Sequence, residues 1–408
     1  MSNSASTATA PTSGKLIGLV SAAHFFSHFY LLLLPPLFPI LKDLYGVGFT
    51  ELGLAYSAFS LTTTLTQVPM GFIVDRYGAR GLLITGLLVE SLAFALMGFF
   101  PHYTALVVLM AVAGLANAVF HPADYALLSA GVEAGRMGRA FSFHTAAGYF
   151  GEAVAPVTIV ALLAWVGLGN GLLLCGLAGA ATALWLLINA STLDATVAAH
   201  HASRDPAGEP SNTGLRLLFS VPMLVGLVFF IGIALSMRGI TSFSVSVLHL
   251  LYATPLALAS TVLSAFLFAS PVGVLAGGWL ADRTQRHDWV AAACLATIAA
   301  SILLVATLEL PLLGIGVLFA IAGFASGVVA PSRDLMIQAM TPPGDTGKVF
   351  GFVTSGYNLA GMVGPPAFGY LLDHADPKTI FWAVVMLSLM TLVLALATGS
   401  QGRVRKAV

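Results

Sequence analysis

Apolar residues are strung along this chain in long, nearly unbroken runs, and the charged residues collect in the short stretches between them. A helix that crosses a bilayer needs roughly 20 such residues. Runs of that length fall at 16–40, 52–74, 81–99, 103–131, 140–166 and 170–190. Six more fall at 217–248, 256–281, 290–310, 312–340, 349–372 and 380–398. Between the two sets, 191–214 is polar, with His200, His201, Arg204, Asp205 and Glu209, and reads as a solvated linker. The pattern predicts an all-α membrane protein of twelve transmembrane helices in two six-helix pseudo-symmetric bundles, 1–190 and 215–408, joined by that linker.

Composition sharpens this picture. Hydrophobic residues make up 58% of the 408 residues and charged ones only 8%, against roughly 25% charged in a soluble chain. So few charges cannot clothe a water-facing surface, so the lipid bilayer is the expected neighbour. The 17 basic and 17 acidic residues balance, which leaves no field to gather nucleic acid. Cys175 and Cys294 both lie in apolar runs and suggest neither a disulfide nor a metal framework. The first run, after Lys15, is too long for a secretory signal and reads as an uncleaved span.

The cations are distributed unevenly. One side of the membrane receives Lys15, Arg76, Arg80, Arg136, Arg139, Arg204, Arg216, Arg283, Arg286, Lys348, Arg403, Arg405 and Lys406, and the other only Lys42 and Lys378. By the positive-inside rule both termini are expected in the cytoplasm, with the chain multi-pass in the inner membrane. An even number of spans follows.

The two halves also echo each other. Gly71-x-x-x-Asp75-Arg76 returns as Gly278-x-x-x-Asp282-Arg283. Pro122, the pair Gly138-Arg139 with Phe141, and Pro156 return at nearly the same offset as Pro331, Gly347-Lys348 with Phe350, and Pro365. Parallel repeats of this kind occur in transporters whose halves move against each other. The run from Gly71 through Asp75, Arg76 and Gly78 to Arg80 resembles the signature loop between spans 2 and 3 of the major facilitator superfamily. In the second copy Gln285 replaces the glycine. His24-Phe25 and Phe120-His121-Pro122 further resemble the fosmidomycin-resistance-like branch.

The resemblance implies alternating access, with spans 1, 4, 7 and 10 facing a central path. It also implies a gate on the cytoplasmic side formed by Gly71, Asp75, Arg76, Gly78, Arg80, Arg139, Asp282 and Arg283. An acid at a helix end, close to such cations and to another helix N-terminus, has the chemistry to latch two bundles. Exporters of the family often carry Gly-Pro in span 5; Ala155-Pro156 stands here, which leaves the direction of transport open.

Charges inside spans cost roughly 2.5–3.5 kcal/mol on insertion scales, so each needs a reason. Span 1 carries His24 and His28, four apart and on one helical face. Span 4 carries His121 and Asp124, span 5 His144 and Glu152, span 7 Arg238, and span 10 Arg333 and Asp334. The repeat aligns Asp124 with Arg333. We therefore expect His24, His28, His121, Asp124, Arg238 and Arg333 to bind a small, anionic organic solute, and His144, Glu152 and Asp334 to couple protons. A structural Asp124–Arg333 ion pair is the competing account.

The function expected is secondary active transport by a monomer, with the solute and protons as its partners and no cofactor. Drug or antimetabolite efflux by proton antiport is the alternative. A divalent-metal transporter is disfavoured, because no closed metal signature exists and nearby arginines oppose a cation. Glu90 in span 3 is expected to face span 2 or to be protonated. No phosphate-binding Gly-x-x-x-x-Gly-Lys loop is present. A nucleophile–base constellation and a soluble output domain are also wanting, which argues against an enzyme or a sensor.

Overall fold

A computed structural model describes residues 10–133, 136–193, 217–341 and 346–406. Most of the expected linker, with Arg204, and the neighbouring Arg216 lie outside the described residues. Those described are helical throughout, without a strand. In lipid, an α-helix satisfies every backbone N–H and C=O within the segment, which open sheets cannot do.

Helix α1 covers Ala10–Leu31 and ends before Pro35 and Pro36. These two prolines lack the N–H groups that would continue the helix. A 3₁₀ turn at Pro35–Leu37 carries the chain into α2, Phe38–Tyr45. Next come α3 (Phe49–Tyr77), α4 (Ala79–Met97), α5 (Tyr103–Asn117) and α6 (Phe120–Gly131). The expected fourth span is thus two helices in series. The single residue between α3 and α4 is Gly78, at φ +91°.

Helix α7, Met137–Ile188, is 52 residues long. At 1.5 Å per residue it would run about 78 Å if straight, more than twice a bilayer's hydrocarbon thickness. Gly167, at φ 80° and ψ 169°, breaks it. Only a residue without a Cβ tolerates that backbone, so the chain reverses there almost without a loop. The approach of Gly169 to Gly98, at the end of α4, places the reversal beside that helix end. The runs expected at 140–166 and 170–190 are the two arms.

The second half contains α8 (Val221–Tyr252), α9 (Leu256–Ala281), α10 (His287–Thr307), α11 (Leu312–Met340), α12 (Thr346–His374) and α13 (Lys378–Lys406). Nine helical segments among the described residues are long and apolar enough to cross a membrane. Helix α7, with its two arms, counts once among the nine, and α3 and α12 fall outside them. Large apolar side chains such as Trp165, Leu275 and Leu313 stand on the outside, where lipid would cover them.

Candidate functional site

A cavity of about 390 Å³ lies between the halves, within the size range of small-molecule sites. Tyr149 and Glu152 of α7 form part of its wall, with Arg238 of α8, Arg333 of α11 and Tyr357 of α12 across from them. Leu31 and Leu32 and apolar residues of α8, α9 and α11, such as Ile233, Phe266 and Val329, make up most of the rest, with the hydroxyls of Thr241, Ser270 and Ser326 among them.

Both cations are held in place. Arg333 Nε donates to Asp334 Oδ1 at 2.8 Å, and its Nη1 donates to the Tyr357 hydroxyl. The guanidinium also lies 4.8 Å from the Phe230 ring centre. Arg238 Nη1 donates to the Tyr56 hydroxyl at 3.2 Å, and that hydroxyl donates to the Leu31 carbonyl. Fixed arginines give planar, forked recognition of carboxylate-like groups at little ordering cost.

The first half's ionisable residues are arranged differently. Glu152 Oε1, on the cavity wall, lies 2.7 Å from His28 Nδ1. Behind it the His28 ring is 4.5 Å from His24, which stacks on His144 at 3.7 Å. Asp124 Oδ2 is 3.2 Å from His24 Nδ1 and 3.6 Å from His144 Nε2. Asp124, His24 and His144 are buried. His121 is exposed, 5.5 Å from His24 ring to ring. This crowding depends on Gly148, where an added Cβ would sit 2.9 Å from the His24 ring.

Of the six residues expected to touch solute, Arg238 and Arg333 line the cavity and His24, His28, His121 and Asp124 do not. Among the expected proton carriers, Glu152 lines it, His144 is buried behind it, and Asp334 braces Arg333. Asp124 and Arg333 do not pair; each has partners in its own half. Glu90 accepts from Asn117 Nδ2 of α5 at 3.0 Å, so it faces the fourth span. The sequence reading missed Tyr56, Tyr149 and Tyr357. Tyr149 was legible in principle, since three residues before Glu152 shares its helical face.

At the end away from the basic loops, the halves are sealed. Asp373, near the end of α12, accepts hydrogen bonds from Phe49 N (2.9 Å), Thr50 N (2.8 Å) and Thr50 Oγ1 (2.7 Å). Lys42 Nζ lies 3.4 Å away. Gly48, at the N-cap of α3, has no side-chain oxygen, and the opposite half supplies a carboxylate that caps this helix. Beside it, Gly53 meets the Pro365 backbone so closely that a Cβ would sit 2.4 Å from the carbonyl oxygen. Ser57 Oγ donates to the Met362 carbonyl.

At the other end, Asp75, Arg76, Arg139, Asp282 and Arg283 are exposed, and Gly71, Gly78 and Arg80 are half-buried. Arg283 stacks 3.9 Å over Trp279 of its own half. Helix α3 records the contrast between the ends: Phe49 to Phe59 is mostly buried, and Leu65, Val68 and Phe72 are exposed.

Comparison with known proteins agrees with this architecture. The family model described as Major Facilitator Superfamily matches residues 20–319 and 251–406. The chain is 26% identical to the Fosmidomycin resistance protein of Escherichia coli (strain K12), over 95% of this chain and 93% of that one. It is 23% identical to the "Probable sulfoacetate transporter SauU" of Cupriavidus necator, over 89% and 88%. The crystal structure of the nucleoside transporter NupG superposes with a TM-score of 0.77, at 15% identity, over 95% of this chain and 98% of that one. Paired bundles, a duplicated signature loop and a whole-chain family match lead to one conclusion: this protein belongs to the Major Facilitator Superfamily of membrane transporters, which are not enzymes.

Proposed function

We propose that the protein is a secondary active transporter that moves a small organic anion together with protons, by alternating access, across the cytoplasmic membrane. Both termini lie in the cytoplasm on this reading, and the monomer is the working unit. One observation carries it: Arg238 and Arg333 share a cavity between the halves with the carboxyl group of Glu152. The arginines attract an anion in a site lined largely by apolar groups, where charge is weakly screened. The similarity, over 89% of this chain, to the "Probable sulfoacetate transporter SauU" supports a substrate bearing carboxylate or sulfonate groups.

Glu152 supplies the coupling. Ionised, it repels the anion; at about 8 Å and an effective dielectric of 20–40 the penalty is about 1–2 kcal/mol, roughly tenfold in affinity. Protonated, with His28 as its hydrogen-bond partner, it no longer does so. Proton and anion therefore bind best together, which is the condition for symport. On this reading the cavity opens toward the basic face, where Leu65, Val68 and Phe72 of α3 are exposed, while the Asp373 seal holds the other end. Rocking exchanges these roles: the seal breaks, and the Asp75 loop closes on the opposite half.

Efflux of a drug or antimetabolite by proton antiport is the second reading, favoured by the similarity to the Fosmidomycin resistance protein. Reconstitution separates the two. Purified protein goes into vesicles holding a pH-sensitive dye, and sulfoacetate, galactonate or a phosphonate is added outside. Symport acidifies the lumen as the anion enters; antiport makes it alkaline. Anion flux without any pH change removes the coupling assignment, and no flux of any of the three removes the substrate class.

A further inference from the structure

We infer that His24, Asp124 and His144 form a binding site for a divalent transition-metal cation of the zinc class, held wholly inside the first half. Each residue offers one ligand atom, and the three atoms lie within 4.8 Å of one another. Asp124 Oδ2 is 3.2 Å from His24 Nδ1 and 3.6 Å from His144 Nε2. Ligands bonded at about 2.0–2.2 Å to a tetrahedral zinc ion stand about 3.3–3.5 Å apart. The two distances from Asp124 already match, while the stacked His24 and His144 rings must swing apart for both nitrogens to face one ion.

Proximity alone would also suit hydrogen bonds, but the alignment is wrong for them. His24 Nδ1, both nitrogens of His144 and both carboxylate oxygens of Asp124 are buried without a hydrogen-bond partner. Asp124 has no exposed surface, and His24 and His144 are only 4% and 1% exposed. Buried polar atoms are ordinarily paired. Donor atoms that crowd together unbonded in this way would be satisfied by a cation placed among them.

The donor set selects the cation. Two imidazoles and one carboxylate suit zinc and its neighbours, whereas magnesium and calcium prefer oxygen ligands throughout. Arginine repulsion, which the sequence suggested, is directed elsewhere: Arg333 is held by Asp334 and Tyr357, and Arg238 by Tyr56. The ligands come from α1, α6 and α7, and none of them lines the central cavity. Rocking of the halves therefore leaves the site intact, as befits a resident ion rather than cargo. Because it stands apart from the anion cavity, its failure would leave the transport reading untouched, and the reverse holds too.

The test uses full-length protein carrying no polyhistidine tag, loaded with ZnCl2, dialysed and assayed for metal by elemental analysis and calorimetry. One zinc per chain is expected. Asp124→Asn, checked for monodispersity, should weaken binding on the order of tenfold or more, and His144→Gln likewise. MgCl2 or CaCl2 at the same concentration should not displace the zinc. Cobalt loading of the unaltered protein provides an independent readout that needs no variant: intense visible absorption typical of four-coordinate cobalt is expected. Substoichiometric zinc, zinc retained equally by both variants, displacement by magnesium, or only the faint spectrum of six-coordinate cobalt would each overturn the assignment.

Discussion

Asp124 and Arg333 occupy matching positions in the repeat, yet they serve different neighbourhoods. Arg333 turns into the cavity between the halves, braced by Asp334 and Tyr357. Asp124 turns into its own bundle, between His24 and His144. The duplication preserved the scaffold but not the direction in which this position looks. Opposite charges at symmetry-related sites are therefore not an ion pair by default. Here the second half presents cations to the path, while Glu152 is the acidic residue the first half contributes to the cavity lining, and Asp124, His24 and His144 stay buried behind it.

The sharpest test of this asymmetry is Arg333→Ala. Truncating one partner of a largely desolvated charged contact costs about 3 kcal/mol, so anion affinity should fall roughly a hundredfold by calorimetry. Unchanged affinity would make Arg333 a purely structural cation and erase the contrast. Glu152→Gln comes next and has the opposite sign. It mimics the protonated acid, so anion affinity at alkaline pH should rise about tenfold, and its decline with rising pH should flatten. A steep pH dependence that survives in this variant would move the proton site off the first half's wall.

Smaller effects probe the seam. Asp373→Asn removes a charged cap from α3, worth about 1 kcal/mol. The balance between the two orientations should shift about fivefold toward opening at the sealed end, read by thiol labelling of a cysteine at Ser57. Smallest is the difference between the two signature loops. Asp75→Asn should slow flux without impairing membrane insertion, and Asp282→Asn, in the copy whose glycine is Gln285, should change it less than twofold. Equal losses would mean that both copies gate.

Much of the scaffold was legible because lipid imposes a coarse rule. The runs expected at 256–281 and 312–340 coincide with α9 and α11, since apolar length and the chain breaks at Pro255 and Pro311 coincide. The fourth span was read as one helix but is two, because the interruption after Asn117 leaves no apolar gap to see. At the site, residue type singled out Arg238, Arg333 and Glu152, which line the cavity, together with His24, His28, His121 and Asp124, which do not. Which way each side chain turns depends on helix rotation, and the repeat could not supply that. The Asp373 seal was invisible for another reason: it joins positions 49–50 to 373, and nothing local to either end marks them as neighbours.

The reversal at Gly167 has a practical corollary. A hairpin whose bend is a single residue leaves almost no peptide standing in the water on that side. Proteases and antibodies should find no epitope there, and an inserted reporter would have to be accommodated within the helix itself. Trp165, two residues before the bend and 80% exposed, sits where indole favours the headgroup zone. Its fluorescence, quenched by lipids brominated at graded depths, would serve as a built-in ruler for how far this hairpin emerges.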